Sequence, residues 1–387
     1  MTSRSCSSTK PRSNRERRPC QKWQLGYRVV WSLRILLVRL RQIGDVVFTT
    51  PAIHALRRRF PDAQLSYIVE PAAAPVVLHN PNLSDVIVAP RGRGLRGVLA
   101  DVALGRRLKA AQYDVAIDFH GGPRASLLTW LSGAPVRIGY EIAGRGWMYT
   151  RRIARPRELR RRHSVENQWD LLDSLDIAPP TRAIDPVEMP ADGATTAAVE
   201  GRLRQCGVCL DDSIVVVHVS AGNPFRRWPI EHFVALIAKL AGDDPTRRFV
   251  VTSGPSEGDA AARVIAEARS AVGEDAAARV VSCGEFSLAE LRALLDRAAL
   301  YIGGDSGPLH IAATTHVPIV GLYGPTLPVR SAPWRSDRYP TESVDAGELP
   351  CRPCDQRVCA PGDFRCLTRI QPEQVLDACL HVLRSRG

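Results

Sequence analysis

Short apolar runs alternate with helix-length segments along most of the chain, and they do so in two successive series. Strand-like runs occupy residues 33–40, 65–69, 85–88, 113–119 and 136–140, with helix-like runs at 46–59, 98–110 and 125–131 between them. A helical stretch at 163–175 and a Pro-containing linker at 177–181 follow. The second series then places strands at 213–219, 248–252, 279–282, 299–303 and 318–322, and helices at 231–240, 259–271, 288–297 and 309–315. Strands separated by helices need βαβ crossovers, so each series predicts a parallel sheet in an α/β fold. The expected organisation is a basic, disordered tail at 1–32, one half at 33–185 and a second at 186–387. Open parallel sheets bind ligands beyond the carboxyl ends of their strands. The loops that follow the strands are therefore where chemistry is expected, facing a cleft between the halves.

With 387 residues, 45% hydrophobic and 24% charged, the chain has the composition of a soluble globular protein. The most apolar run, 29–38, carries Arg34 in its middle and lacks a small-residue cleavage site, so neither a bilayer span nor a signal peptide is expected. That predicts a cytoplasmic location. The net charge of +12 is unevenly placed. Residues 1–32 hold eight basic residues against Glu16 alone, and residues 151–162 hold seven arginines against Glu158. Basic patches suit nucleic acid, an anionic membrane surface or a phosphorylated substrate. Nucleic acid is not expected, because no recognition helix, zinc finger or stacking-aromatic motif accompanies the charge.

Three loops carry the candidate chemistry. In Gly303-Gly304-Asp305-Ser306-Gly307-Pro308-Leu309-His310 a strand breaks at two glycines and a helix opens, with Asp305 or Ser306 as its cap and Pro308 in its first turn. Free backbone N–H groups and the helix dipole make such a turn suited to a diphosphate, towards which His310 can point. In Ile43-Gly44-Asp45-Val46, Asp45 reads either as a helix cap or as a carboxylate at the cleft mouth that can take a proton from an acceptor hydroxyl. In Ser220-Ala221-Gly222-Asn223-Pro224-Phe225-Arg226-Arg227-Trp228, Ser220 and Gly222 offer hydroxyl and backbone donors, and either arginine can neutralise a leaving diphosphate. Trp228 reads as core. His120, with Gly121 and Gly122, ends another strand and can face the cleft. The stretch from Arg151 to His163 reads either as a solvated, capped helix start or as an arginine-lined acceptor wall.

The segments Ile43-Gly44-Asp45-Val46 with Pro51-Ala52, Arg226-Arg227-Trp228-Pro229, and Gly304-Asp305-Ser306-Gly307-Pro308-Leu309-His310 resemble, in this order, the motifs of glycosyltransferase family 9, the ADP-heptose:lipopolysaccharide heptosyltransferases. The resemblance runs over about residues 33–385. It implies a GT-B fold, two Rossmann-like domains facing a central cleft, with the acceptor held by the first domain and an ADP-sugar donor by the second. It implies an inverting displacement on a lipopolysaccharide-core or lipid A-linked acceptor, with no metal or other cofactor, at the inner face of the inner membrane. It assigns Asp45 as the base, and Ser220, Gly222, Arg226, Glu257, Asp305, Ser306, Gly307 and His310 to the donor. Glu257 would reach the nucleotide ribose, unless it is a solvated loop acid. Gly44, His120, Arg151 and His163 fall to the acceptor side. Arg226 stands where the family often has a lysine. The last helix, 372–383, is expected to return to the first domain.

Other readings compete. A relative could move another sugar or heptosylate a protein, and a nucleotide-binding module could lack turnover. Gly92-Arg93-Gly94-Leu95-Arg96-Gly97 matches a dinucleotide fingerprint, but it follows the third strand and its intervening positions include arginines. Cys351, Cys354, Cys359 and Cys366 form a dense cluster whose thiolates could hold a metal or stay reduced.

Overall fold

The computed structural model describes residues 32–92, 94–154, 162–209 and 211–385. The basic segment before residue 32 lies outside the described residues, as do Arg93 and residues 155–161 of the arginine run.

The first half runs β1 (Arg34–Val38), α1 (Ile43–Val47), α2 (Thr50–Arg59), β2 (Gln64–Val69), β3 (Asp85–Val88), α3 (Gly94–Ala110), β4 (Val115–Asp118), α4 (Pro123–Leu131), β5 (Val136–Tyr140), β6 (Arg151–Ile153) and α5 (Ser164–Asp173). The second runs α6 (Gly193–Gln205), β7 (Ser213–His218), α7 (Ile230–Asp243), β8 (Arg247–Thr252), α8 (Gly258–Val272), α9 (Glu274–Ala277), β9 (Val280–Val281), α10 (Leu288–Arg297), β10 (Leu300–Gly304) and α11 (Gly307–Ala312). It ends with β11 (Ile319–Tyr323), α12 (Pro328–Ser331), β12 (Thr341–Asp345), α13 (Arg365–Thr368) and α14 (Pro372–Arg384).

Each half builds a parallel six-stranded sheet, ordered β3-β2-β1-β4-β5-β6 and β12-β11-β10-β7-β8-β9. The two orders are the same Rossmann-like winding, with β1 and β7 equivalent. Central strands are apolar without alternation because helices cover both faces. In β1, Ile35 and Leu37 join one core while Leu36 and Val38 join another. The first of these cores is shared: it runs from Ile35 and Leu56 through Trp169 to Tyr301, Leu309 and Trp334 of the second half. The halves therefore meet through buried side chains, with α1 packed on α11. The connecting segment is pinned as well, since buried Asp185 pairs with Arg58 at 2.9 Å and its carbonyl accepts from Trp334 Nε1 at 2.8 Å.

Several expectations change. The helix expected over 46–59 is broken at Phe48–Thr49, because Pro51 has no N–H to continue the ladder and Thr50 Oγ1 donates to Val47 O instead, at 2.8 Å. Strands β6 and β12 were not legible. Both are sheet edges, half-buried or exposed and rich in polar residues (Arg-Arg-Ile and Thr-Glu-Ser-Val-Asp), so they carry no apolar signal. Helix α6 is capped by Asp192 and buries only Val199 and Leu203, too sparse a stripe to read. Helix α14 does not return to the first half. It packs on α7, β11 and β12, and its buried Val375, Cys379 and Val382 join the outer core of the second sheet with Phe233 and Leu240. Trp228 Nε1 and His232 anchor its approach through the carbonyl of Ile370, at 2.9 and 3.1 Å. No helix among the described residues is long and apolar enough to cross a membrane.

Candidate active site

Strand β1 delivers the chain to the cleft edge at Arg39. Its guanidinium donates to the carbonyl of Phe119 at the end of β4 and forms an ion pair with Asp45. The N-cap position of α1 is Gln42, not Asp45, so the capping role is not the one this carboxylate fills. Asp45 sits in the first turn with 38% of its side chain exposed, tethered by Arg39 and open to the cleft.

Beside it, β4 ends in a turn built on Asp118. The backbone N–H groups of His120 and Gly121 donate to Asp118 Oδ1, both at 2.8 Å, and Tyr149 OH donates to Oδ2 at 2.6 Å. This fixes His120 at the carboxyl edge of the sheet. Burial, helped by the charges of Arg39 and Arg41, lowers the His120 pKa to about 4, so the ring is neutral near pH 7. Its Nδ1 is buried and has no hydrogen-bond partner among the described residues.

In the second half, β10 ends at Gly304 and the chain turns through Asp305 and Ser306 into α11. Asp305 is 2% exposed, and its Oδ2 accepts from Thr326 Oγ1 at 2.5 Å and faces Arg226 Nη1 at 3.2 Å. Arg226 Nη1 also donates to the Asp305 carbonyl at 2.9 Å, while its Nε donates to Gln356 Oε1 at 2.7 Å. Gln356, from the cysteine-rich loop, accepts in addition from Asn223 Nδ2 at 2.9 Å. His310 Nε2 lies 3.5 Å from Asp305 Oδ1, and burial lowers the pKa of this histidine against the opposing pull of Asp305 and Asp45. Three buried polar atoms on this turn have no hydrogen-bond partner among the described residues: Asp305 Oδ1, Ser306 Oγ and His310 Nδ1. Buried polar groups are normally satisfied, so such a cluster marks a place where a polar ligand completes the structure.

The two loops touch. Ile43 packs against Gly307, where a Cβ would stand 3.1 Å from Ile43 Cβ, and Phe48 lies against His310 with ring centroids 4.4 Å apart. Asp45 and the Asp305–His310 turn thus share one site, built from the carboxyl ends of both sheets.

The remaining candidates divide. Glu257 is buried and ion-paired with Arg227, so it is not a solvated loop acid. Gly222 is exposed, with open space where a side chain would be. Ser220 is buried, and its hydroxyl is engaged: Gly254 N–H donates to it at 2.7 Å and His218 Nε2 lies 3.1 Å away. It ties the loops after β7 and β8 together and does not present a free donor. Trp228 is core, as its composition suggested. His163 does not line an acceptor wall. It is 3% exposed, caps α5 by accepting from Val165 N–H through Nδ1, and contacts Ala332 O through Nε2 at 2.8 Å. Phe48 meets its ring edge-on and Trp334 lies tilted against it, so the fold makes it a buried joint between the halves. Arg151 lies on the edge strand β6 and donates to Ser174 O at 2.7 Å, holding the end of α5. Three strand spacings, about 14 Å, separate that strand from β1. Arg39, Thr326 and Gln356 were not singled out by the sequence, and no local pattern marks them.

The glycine-rich 92–97 segment follows β3, the edge strand, and its first and last glycines pack on each other: a Cβ on Gly92 would lie 2.3 Å from Gly97 Cα. A dinucleotide fingerprint follows the central first strand. The four late cysteines are free thiols, and among the described residues no three His, Cys, Asp or Glu side chains are gathered to hold a metal ion. Burial pushes Cys366 up to about 11, with the other three thiols of the cluster adding to the shift.

Residues 102–362 match the family described as Glycosyltransferase family 9 (heptosyltransferase). Among curated proteins, lipopolysaccharide heptosyltransferase 3 of Escherichia coli is 27% identical over 322 residues, 82% of this chain and 91% of that protein. Among solved structures, the family 9 glycosyl transferase of Veillonella parvula superposes with a TM-score of 0.79 at 22% identity, covering 93% of this chain and 99% of the other. The E. coli ADP-heptose lipopolysaccharide heptosyltransferase II gives 0.73 at 18% identity, covering 91% and 99%. The two facing Rossmann-like halves are the GT-B fold, and the chain belongs to glycosyltransferase family 9, the heptosyltransferases.

Proposed function

We propose that the protein transfers heptose from ADP-heptose to a hydroxyl of a lipopolysaccharide inner-core acceptor, with inversion at the anomeric carbon. Residues 33–185 take the acceptor and residues 186–387 the donor. Asp45 removes the proton from the acceptor hydroxyl as its oxygen attacks the anomeric carbon. The bond from that carbon to the diphosphate oxygen breaks, and ADP departs towards Arg226 and the Asp305–His310 turn. Charge growing on the diphosphate is met there by a guanidinium and by donors already in place, which is where such groups lower a barrier most. His120 and Gly44 flank the acceptor hydroxyl, and Glu257 with Gly222 border the nucleotide.

The observation that carries this reading is the meeting of a tethered, solvent-accessible carboxylate with a turn on which three buried polar atoms lack a hydrogen-bond partner among the described residues. The names of the similar proteins support the choice of heptose, ADP and lipopolysaccharide. The reading places the protein in the cytoplasm, peripheral to the inner membrane. Calorimetric titration with ADP, ADP-heptose, UDP and NAD, followed by transfer to truncated lipopolysaccharide, tests it. Preference for ADP and ADP-heptose with transfer is expected. Preference for UDP would overturn the donor, and binding of ADP without any transfer would overturn the enzyme reading.

A further inference from the structure

Helix α3 presents its apolar side outwards. Leu95, Val98, Leu99 and Val102 are 75, 59, 60 and 40% exposed, while the helix rests on the protein through Gly97, Gly105 and Leu108. Their spacing puts the four side chains on one stripe. An ordinary surface helix would roll that stripe inwards, but α3 cannot. Arg124, at the start of α4, donates to Asp101 of α3 at 3.0 and 2.8 Å, to Glu70 at the end of β2 at 2.9 Å, and to the carbonyls of Ala89 and Pro90. The glycine side is equally committed, since a Cβ on Gly105 would stand 2.7 Å from Leu131 Cδ1 of α4. Rolling the helix would break the fork and drive side chains into α4.

The charge around the stripe is mainly basic, with Asp85 of β3 lying 3.8 Å from Arg107. Arg96, Arg106, Arg107 and Lys109 lie on the helix and Arg91 just before it, and the one acid of the helix, Asp101, is already held by Arg124. An exposed apolar stripe flanked by cations fits an anionic lipid surface, where the apolar groups enter the headgroup boundary and the cations meet phosphates. Two further exposed aromatic residues, Trp130 of α4 and Trp147, contact each other with ring centroids 5.5 Å apart. Because α3 follows β3, its first turns sit at the carboxyl edge of the first sheet, the edge that carries Asp45 and His120.

We propose that the Leu95–Val98–Leu99–Val102 face of α3 docks the protein on an anionic phospholipid bilayer. That the docking serves catalysis rests on the lipid-linked acceptor proposed above; the docking itself does not. The test is co-sedimentation of the full chain with vesicles of phosphatidylcholine alone and of phosphatidylcholine mixed with phosphatidylglycerol. Binding to the mixed vesicles is expected, and the double substitution Leu95→Ser, Leu99→Ser should weaken it by about tenfold or more. Because the basic segment before residue 32 attracts anions by charge alone, the comparison is repeated in high salt, where that attraction is screened and the leucine effect persists. The variant should keep the wild-type melting temperature and its transfer rate to a soluble, deacylated acceptor. Loss of docking is thus distinguishable from failure of the transferase reading. Equal vesicle binding by wild type and variant would overturn the proposal, as would light scattering that shows a wild-type dimer dissolved by the same substitutions.

Discussion

Gly44 and His310 lie face to face across the two halves, and a Cβ on Gly44 would stand 2.4 Å from His310 Cδ2. The imidazole has little room to retreat, being 5% exposed and backed by Phe48. Gly44→Ala should therefore act as an overpacking substitution and cost about 1–3 kcal/mol of stability. It should also displace His310 from Asp305, so transfer should fall even below the melting transition. Melting temperature and initial rate measured on the same preparation check this; an unchanged rate would mean that the contact does not matter to the site.

Asp45 is the proton acceptor in the proposed reaction, and Arg39 holds it in place. Asp45→Asn keeps the size and removes the basicity. It should lower kcat by about 10²–10⁴-fold, the usual contribution of a positioned general base, while leaving ADP affinity as it was. Isothermal titration beside a rate assay separates the two effects. If Asp45→Asn turns over at the wild-type rate, the base is another group.

The two-sheet architecture was legible because most inner strands hold runs of apolar residues separated by helix-length segments; β3, β5 and α10 have the bounds their sequences suggest. The edges were not, because an edge strand such as β6 has only part of its surface buried. At the site, the turn at Asp305–His310 was legible because Gly303 and Gly304 close β10 ahead of it, whereas β1 ends at Val38 and Gly44 lies inside α1, so no strand-ending glycine precedes Asp45. Gln356 was not, because its two donors come from residues 130 and 133 positions away and nothing local requires them. His163 and Arg151 misled for the opposite reason. A run of arginines suggests an exposed wall, yet the histidine at its end is buried between Phe48 and Trp334, and Arg151 is drawn to the end of α5. Local charge does not reveal which polar residue the tertiary fold will bury.

Gln356 holds Arg226 through Nε while Asp305 holds it through Nη1, so the guanidinium is gripped on two edges. A lysine supplies charge but cannot make both contacts. Arg226→Ala should lower kcat about 10²–10³-fold, as loss of a transition-state donor does. Arg226→Lys should recover part of that loss, and Gln356→Ala should cost less than either, with its effect vanishing in the Arg226→Ala background. A double-mutant cycle reads this coupling. Additive losses would show that Gln356 acts elsewhere.

Acid should destabilise the fold through its buried histidines. Burial lowers His163 to about 3 and His218 to about 4, from an ordinary value of 6.5, so both are neutral in the folded protein. Below pH 6.5 the unfolded chain takes up protons that the folded chain cannot bind. Stability from these groups is complete above pH 6.5 and is lost as pH falls towards 4 and then 3. Each fully contributing histidine adds a slope of about 1.4 kcal/mol per pH unit. Between pH 6.5 and 5 the slope comes from buried histidines, with His120 and His310 adding to His163 and His218, because most carboxylates titrate lower. Urea unfolding across that window should show stability falling with pH, and His163→Gln should flatten the slope by about one proton whatever it does to stability at pH 7. A slope unchanged in this variant would mean that His163 is protonated in the folded state, which its buried position between Phe48 and Trp334 argues against.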